Sequence, residues 1–296
     1  MPSLPVTVFN DPGCPFGYSA APSLARLQWR FGDALEWRLV MIGLTETSSQ
    51  YEERGYTPLD MARSQRHFRR YGMPMAAIPK THVSATSRAC RAIVAVRLMH
   101  PGREWAAMRA LQLLHFTTER TLDDDLALEL ALGGVPGVDA ADVVHAIDDP
   151  AIVEAYENDR AESRTAAGTA AEAQGKAAQT DGPVRFTAPS LLFDERWMAG
   201  GFQPYAAYDV LLANIDPDLP RRDAPEDASE ALDAFPDGLT TAEVASVMTP
   251  GVGEPNLDAA EDALLEAMVR GDLRRLGTGN DALWLPAHAE QVRVPA

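Results

Sequence analysis

The feature that most constrains the fold of this chain is a cysteine placed where a short strand meets a helix. Residues 6–9 are β-branched or aromatic, which predicts a buried strand. A turn motif follows: Asn10-Asp11-Pro12-Gly13-Cys14-Pro15-Phe16-Gly17-Tyr18. Apolar residues then recur at helical spacing up to Phe31, with a bend expected at Pro22, and residues 35–44 predict a central strand. The sequence therefore predicts a βαβ unit with Cys14 at the junction of its first strand and its helix.

The middle of the chain predicts a long helical region that interrupts this α/β pattern. Residues 57–174 are helical in pattern almost throughout, with the best helical segments at residues 85–99, 103–117, 122–132 and 151–174. Alternation returns at residues 190–199, which predict a β-hairpin, and a helix over residues 204–214 closes the domain.

The C-terminal part predicts a second, smaller module. Residues 216–232 combine three prolines with charged residues and predict a linker. Beyond the linker, helices over 240–248 and 257–276 and a strand near 284–285 resemble a winged-helix module over residues 233–296. Residues 223–296 carry 15 acidic and 4 basic residues, a net charge of −11. Because DNA binding needs basic side chains, we expect this module to serve packing or dimerisation.

Composition narrows the class of protein. The 296 residues carry a net charge of −17, which argues against nucleic-acid and membrane partners. No apolar run is long enough to span a bilayer, and the six histidines show no metal-ligand spacing, so we expect no metal. Two cysteines are too few for a disulfide scaffold, so we expect a cytoplasmic protein with reduced thiols.

Cys14 is the residue best placed to carry chemistry. A thiol at a helix N-terminus lies near unpaired backbone N–H groups and the positive end of the helix dipole, which lower its pKa. Pro15 suits the first helical turn, because it has no N–H to leave unpaired. We therefore expect Cys14 to be an activated nucleophile. The alternative is an inert buried thiol, which is the role that we assign to Cys90.

The strand followed by Asp-x-x-Cys-Pro-aromatic-x-Tyr at the start of a helix resembles the DsbA-like branch of the thioredoxin superfamily. That branch includes FrnE-type proteins, kappa-class glutathione transferases and 2-hydroxychromene-2-carboxylate isomerases. The resemblance covers residues 4–214 and includes the helical insertion, at about residues 50–175, and the Gly-x-Gln-Pro-like entry to the last helix at residues 201–204. It implies a thioredoxin-like domain over residues 1–215.

The resemblance also implies the other residues of the site. The proline before the last hairpin, Pro189, is expected to be cis and to face the thiol, with the backbone of Ala188 pairing a bound thiol substrate. Phe16 is expected to line an apolar wall beside it. Together with Pro15 and Gly17, these residues form the expected thiol-binding site around the catalytic Cys14.

Gly17 is where the chain departs from the pattern. Redox-active members carry Cys-x-x-Cys, and the second cysteine breaks the mixed disulfide formed by the first. Because this chain has Gly17 at that position, it cannot complete such a cycle alone.

Several uses of a single thiol follow, and the first is our prediction. The substrate is a small-molecule thiol or disulfide: Cys14 attacks a protein or small-molecule mixed disulfide, and glutathione, mycothiol or a similar thiol completes the cycle, with no covalently bound cofactor. Alternatively, the site holds a thiol cofactor for conjugation or isomerisation, although relatives of that kind usually carry Ser at this position. A third possibility is a non-catalytic binding scaffold, and a fourth is a sensor that forms a sulfenic acid. A homodimer is compatible with each of them.

Overall fold

The computed structural model describes residues 3–289 and has a mixed α/β architecture. Its strands are β1 (Leu4–Asn10), β2 (Leu35–Met41), β3 (Ala177–Ala178), β4 (Arg185–Phe186), β5 (Ser190–Phe193), β6 (Trp197–Ala199), β7 (Leu239–Thr240), β8 (Leu273–Thr278) and β9 (Asp281–Pro286). The central sheet has the order β2-β1-β5-β6, in which β1 pairs parallel to β2 and antiparallel to β5. The predicted βαβ unit and β-hairpin therefore form one sheet.

Most of the remaining residues are helical. The helices are α1 (Pro15–Ser19), α2 (Ala21–Phe31), α3 (Ser49–Glu53), α4 (Pro58–Phe68), α5 (Ser87–Met99), α6 (Glu104–Thr117), α7 (Asp125–Leu132), α8 (Ala140–Ala146), α9 (Pro150–Ser163), α10 (Ala170–Ala173), α11 (Tyr205–Ile215), α12 (Ala228–Asp233), α13 (Thr241–Val247) and α14 (Leu257–Arg270). Pro22 lies in the first turn of α2, where the chain bends after α1, as the sequence predicts. No helix in residues 3–289 is long and apolar enough to cross a membrane.

The largest core lies between the central sheet and the helical insertion. Buried residues of β1, β2 and β5 pack with those of α5, α6 and α7 in one apolar cluster. Cys90, on α5, is fully buried within it, as predicted for a core residue. This packing fixes the end of β1, and therefore the turn that carries Cys14, against the insertion.

Two predicted helices end earlier than the sequence pattern indicates. The helix predicted over 151–174 stops at Ser163, and Gly168 then takes a left-handed backbone conformation that interrupts the alanine-rich stretch. The helix predicted over 257–276 stops at Arg270, because Gly271 forms a left-handed C-cap. The residues that follow Gly271 become β8, which pairs with β9.

The C-terminal residues form a unit of three helices and a three-stranded sheet with the order β7-β9-β8. Helix α12 falls inside the segment expected to be a linker, and its apolar residues belong to the core of this unit. The winged-helix-like nature of residues 233–296 stays a prediction, and residues 290–296 lie outside the described residues. The domain boundaries remain a prediction.

Two arginines, one buried and one partly buried, attach this module to the rest of the chain. Arg26 on α2 is 1% exposed, and its guanidinium donates to four backbone oxygens of the loop after α13, those of Thr249, Pro250, Gly251 and Gly253. Arg109 on α6 donates to both carboxylate oxygens of Glu243 on α13, at 2.5 and 2.6 Å. The module is therefore held by charge-assisted hydrogen bonds.

Candidate active site

Cys14 lies at the position that the sequence predicts, as the N-cap of α1. Its backbone is extended, and its Sγ accepts a hydrogen bond from the backbone N–H of Gly17 at 3.4 Å. Pro15 occupies the first turn of α1, where a missing N–H leaves no donor unsatisfied. The side chain is only 7% exposed and belongs to an apolar cluster that includes Phe9, Phe186 and Ala188.

The Ala188–Pro189 peptide bond is cis and lies against the thiol. The Cys14 thiol donates to the backbone carbonyl of Ala188 at 3.3 Å. Because only the protonated form of a thiol can donate, this contact stabilises the thiol over the thiolate. The structure thus brings together Cys14 and the residue pair expected to orient a substrate sulfur.

A buried carboxylate supports the turn in front of Cys14. Asp11 is fully buried, and its oxygens accept hydrogen bonds from the backbone N–H groups of Gly13 and Leu44, at 2.9 and 2.8 Å. The Thr86 hydroxyl and the Cys90 thiol also donate to it, at 2.9 and 3.5 Å. Burial raises the pKa of Asp11 above its ordinary value, although these hydrogen bonds oppose the rise. Asp11 therefore ties the turn to the insertion.

The expectation of an activated thiolate at Cys14 is wrong for this structure. Burial raises the pKa of Cys14 to about 11, because a buried thiolate loses its hydration. The hydrogen bond from Gly17 lowers the pKa but does not offset burial, and the charge of Asp11 raises it further. The positive charge of Arg185 lowers it less than Asp11 raises it. The expectation rested on the helix N-terminus, because the sequence does not show how deeply the Cys14 thiol is buried.

Gly17 leaves no room for a second cysteine. A Cβ atom added at Gly17 would lie 2.0 Å from Oδ1 of Asn10, far inside contact distance. The same Oδ1 accepts a hydrogen bond from the backbone N–H of Asp11 at 2.9 Å, which holds the Asn10 carboxamide in place. Asn10 therefore fills the space that the side chain of a resolving cysteine needs.

The turn also depends on the absence of a side chain at Gly13. A Cβ atom there would approach the Thr86 methyl group to 2.6 Å, so the loop can lie against the insertion only with glycine.

An aromatic surface borders the site. Phe16 is 42% exposed, and its ring meets that of Phe68 edge-on, with centroids 4.7 Å apart. Tyr71 and Phe202 lie near the same ring, with centroids 6.4 and 6.1 Å away. The structure thus places Phe16 in an aromatic group, and its role as a substrate wall remains a prediction. Sequence reasoning missed the other three rings, which come from segments distant in the chain.

The other residues missed by sequence reasoning are Asn10, Arg185 and the partners of Asp11. Asn10 and Asp11 lie in the quoted motif, so their proximity to Cys14 was available from the sequence. No local signal indicates that Thr86, Cys90 and Arg185 converge on this turn, because they lie on other elements. Within residues 3–289, no group of three or more His, Cys, Asp or Glu side chains could hold a metal ion.

Comparison with known proteins identifies the fold. No protein-family model and no curated protein matches the sequence. Among solved structures, a candidate protein disulfide isomerase from Nitrosomonas europaea is similar, with a TM-score of 0.55 and 16% identity, over 72% of this chain and 97% of its own. A candidate DsbA oxidoreductase from Streptomyces coelicolor has a TM-score of 0.53 and 18% identity, over 73% of this chain and 91% of its own. The predicted thioredoxin-like fold is confirmed.

Proposed function

We propose that this chain is a thiol-dependent oxidoreductase that uses the single nucleophile Cys14 and an external low-molecular-weight thiol. The observation that carries the proposal is the contact between the Cys14 thiol and the Ala188 carbonyl, beside cis-Pro189. Its substrate would be a small disulfide or mixed disulfide. We place this activity in the cytoplasm, where an external thiol is abundant enough to reduce the adduct.

The chemistry follows from having one thiol. The Cys14 thiolate attacks one sulfur of a disulfide R–S–S–R′, forms Cys14–S–S–R and releases R′–S⁻. The thiolate of glutathione, mycothiol or a similar thiol then attacks the adduct on the R sulfur. The second attack forms a new disulfide with R and releases Cys14 as its thiolate. Position 17 is glycine, and the Asn10 carboxamide fills the space beside it, so no second cysteine of this chain competes with the external thiol in this second step.

The raised pKa of Cys14 means that substrate docking has to help form the thiolate. The Ala188 carbonyl accepts a hydrogen bond from the Cys14 thiol. A substrate that pairs with this carbonyl removes the bond that favours the protonated form, so docking lowers the pKa of Cys14. Reaction would then be faster with substrates that extend along Pro189 than with a minimal disulfide.

The raised pKa also favours a second candidate function. If Cys14 stays protonated, its S–H group can donate a hydrogen bond to the sulfur of a bound thiol cofactor, as a serine hydroxyl would. The site would then support conjugation or isomerisation, with no change in the oxidation state of Cys14.

Two variants separate these functions. The test substrate is the mixed disulfide of glutathione with a short cysteine peptide, supplied with excess glutathione and followed by intact-protein mass. Under the oxidoreductase proposal, Cys14→Ser removes turnover and the glutathione adduct, whereas Cys90→Ser retains both. Turnover that persists in Cys14→Ser overturns the proposal. Glutathione binding without turnover, in both wild type and Cys14→Ser, supports the cofactor function instead.

A further inference from the structure

A cleft of about 670 Å³ lies behind the active-site helix, on the side away from the Cys14 thiol. Asn10 and Gly17 line it, next to residues of α2. Its other walls come from α6 and from the loop over residues 234–239 of the C-terminal module. This volume is within the range of pockets that hold small molecules. The cleft therefore differs from the thiol site in both position and lining.

Aromatic side chains form two walls of the cleft. Trp29 and Phe31 line the α2 side, while Trp105 of α6 and Phe235 of the C-terminal module line other parts. The guanidinium of Arg222 stacks over Trp29 at 3.5 Å, which holds that indole in a fixed orientation. Such walls favour a flat apolar molecule, because rings bind best to offset or edge-on aromatic partners.

The charges that line the cleft leave one cation without a partner. Glu243 pairs with Arg109, and Asp237 pairs with Arg103. Arg222 pairs with Glu230 on the exposed rim. In contrast, the half-buried guanidinium of Arg30 forms no ion pair or hydrogen bond with any residue in 3–289, and its Nε atom is buried without an acceptor. A single negatively charged group would therefore supply the ionic partner of Arg30.

Gln112 is a second, independent indication that the cleft binds a ligand. The residue lines the cleft and is only 7% exposed, and its amide nitrogen donates to no acceptor in the described part of the chain. Leaving a buried donor unsatisfied is unfavourable, because the donor has lost its hydrogen bonds to water. A rotation about the last bond of the side chain would present this donor to an acceptor in the cleft.

We propose that the cleft binds an aromatic monocarboxylate, with its ring against Trp105 and Phe235, the more exposed of the lining rings, and its carboxylate on Arg30. The net charge of −17 works against adsorption of anions elsewhere on the chain. Selective binding of an anion therefore requires a local cationic site, and Arg30 provides one. The inference does not depend on the proposed thiol chemistry, because Cys14 does not line the cleft.

The test uses 2-naphthoate as the probe and its neutral analogue 2-naphthamide as the matched ligand, with isothermal titration calorimetry on the full chain. We expect 2-naphthoate to bind with one site per chain and at least about 10-fold more tightly than 2-naphthamide, the ratio that corresponds to 1.4 kcal/mol. Arg30→Gln should remove this preference for the anion, and Arg30→Lys should restore part of it. Ala106→Phe, which places a ring in the cleft, should weaken the binding of both ligands.

The controls locate the binding. Arg54→Gln, on the exposed surface beyond α3, should bind both probes as wild type does. Cys14→Ser should also bind 2-naphthoate as wild type does, which separates this site from the thiol site. No saturable binding, equal affinity for the two probes, or unchanged affinity in both Arg30→Gln and Ala106→Phe would overturn the proposal. Loss of binding in Cys14→Ser would also overturn it, since it would assign the probe to the thiol site.

Discussion

The two sides of helices α1 and α2 have opposite electrostatics. On the front, Cys14 contacts apolar side chains and backbone groups, and burial favours its neutral form. On the back, the buried guanidinium of Arg26 and the partly buried guanidinium of Arg109 lie against the C-terminal module, where they meet carbonyl oxygens and the carboxylate of Glu243. These two cations therefore stabilise the attachment of the module, whereas Arg185, which is buried near the thiol, lowers the pKa of Cys14 by less than Asp11 raises it.

This difference shows that position at a helix N-terminus is not enough to activate a thiol. The backbone N–H groups of Gly17 and Phe16 in α1 lower the pKa of Cys14. Desolvation of the anion is the larger effect. Each of the following predictions tests one side of this comparison.

The largest effect is expected on the back, from Glu243→Gln. Glu243 is 1% exposed and accepts both hydrogen bonds from Arg109, so the substitution leaves a partly buried cation without its counter-charge. We expect the free energy of unfolding to fall by about 3 kcal/mol, measured by urea denaturation at neutral pH. The matched control is Glu162→Gln, because Glu162 pairs with Arg38 on the exposed surface. That pair should contribute less than about 1 kcal/mol.

The same pair predicts a pH dependence. The charge of Arg109 holds the pKa of Glu243 below its ordinary value of 4.5, although burial opposes this. Its contribution to stability is therefore present above pH 4.5 and is lost as the pH falls through the lowered pKa. The difference between wild type and Glu243→Gln should shrink in acid. A difference that stays constant down to pH 3, or a loss no larger than that of Glu162→Gln at neutral pH, would show that the pair does not hold the module.

On the front, we expect the alkylation rate of Cys14 to keep rising with pH and to reach no plateau near neutral pH. With the pKa raised from 9.0 to about 11, the thiolate fraction near pH 7 is about 100-fold lower than for an unperturbed thiol. The rate of iodoacetamide reaction in Cys90→Ser should therefore rise tenfold per pH unit through pH 9. Cys14→Ser, which leaves only the fully buried Cys90, is the control. A plateau below pH 9 would contradict the structure and restore the expectation of an activated thiolate.

The front of the helix could be predicted from sequence because its signals are local. The strand, the turn, Cys14 and Pro15 are contiguous, and their residue types determine the N-cap geometry. Pro189 is distant along the chain and was placed only through its resemblance to a known family. The short hairpin that follows it was also predicted, since alternation and turn residues define it.

The back of the helix could not be predicted, because its determinants are long-range pairs. Arg26 meets a loop more than 220 residues away, and Arg109 meets Glu243 across 134 positions. Nothing near either arginine in the sequence indicates a buried partner. The ends of two helices were also missed: α9 stops at Ser163 within a pattern that periodicity alone would continue, and Gly271 ends α14 as a left-handed C-cap.

The smallest expected effect lies between the two sides, at Gly17. Gly17→Cys alone should lower the free energy of unfolding by about 2 kcal/mol, because its Cβ collides with the Asn10 carboxamide, whose displacement breaks the bond to the Asp11 N–H. It should not form a disulfide with Cys14 under mild oxidation. Asn10→Ala combined with Gly17→Cys removes the collision and should form that disulfide, detected as the loss of two hydrogens by intact-protein mass. Asn10→Ala alone is the control for the lost hydrogen bond. If Gly17→Cys alone forms the disulfide readily, then Asn10 does not exclude a second thiol. In that case the structure has room for a cysteine at position 17.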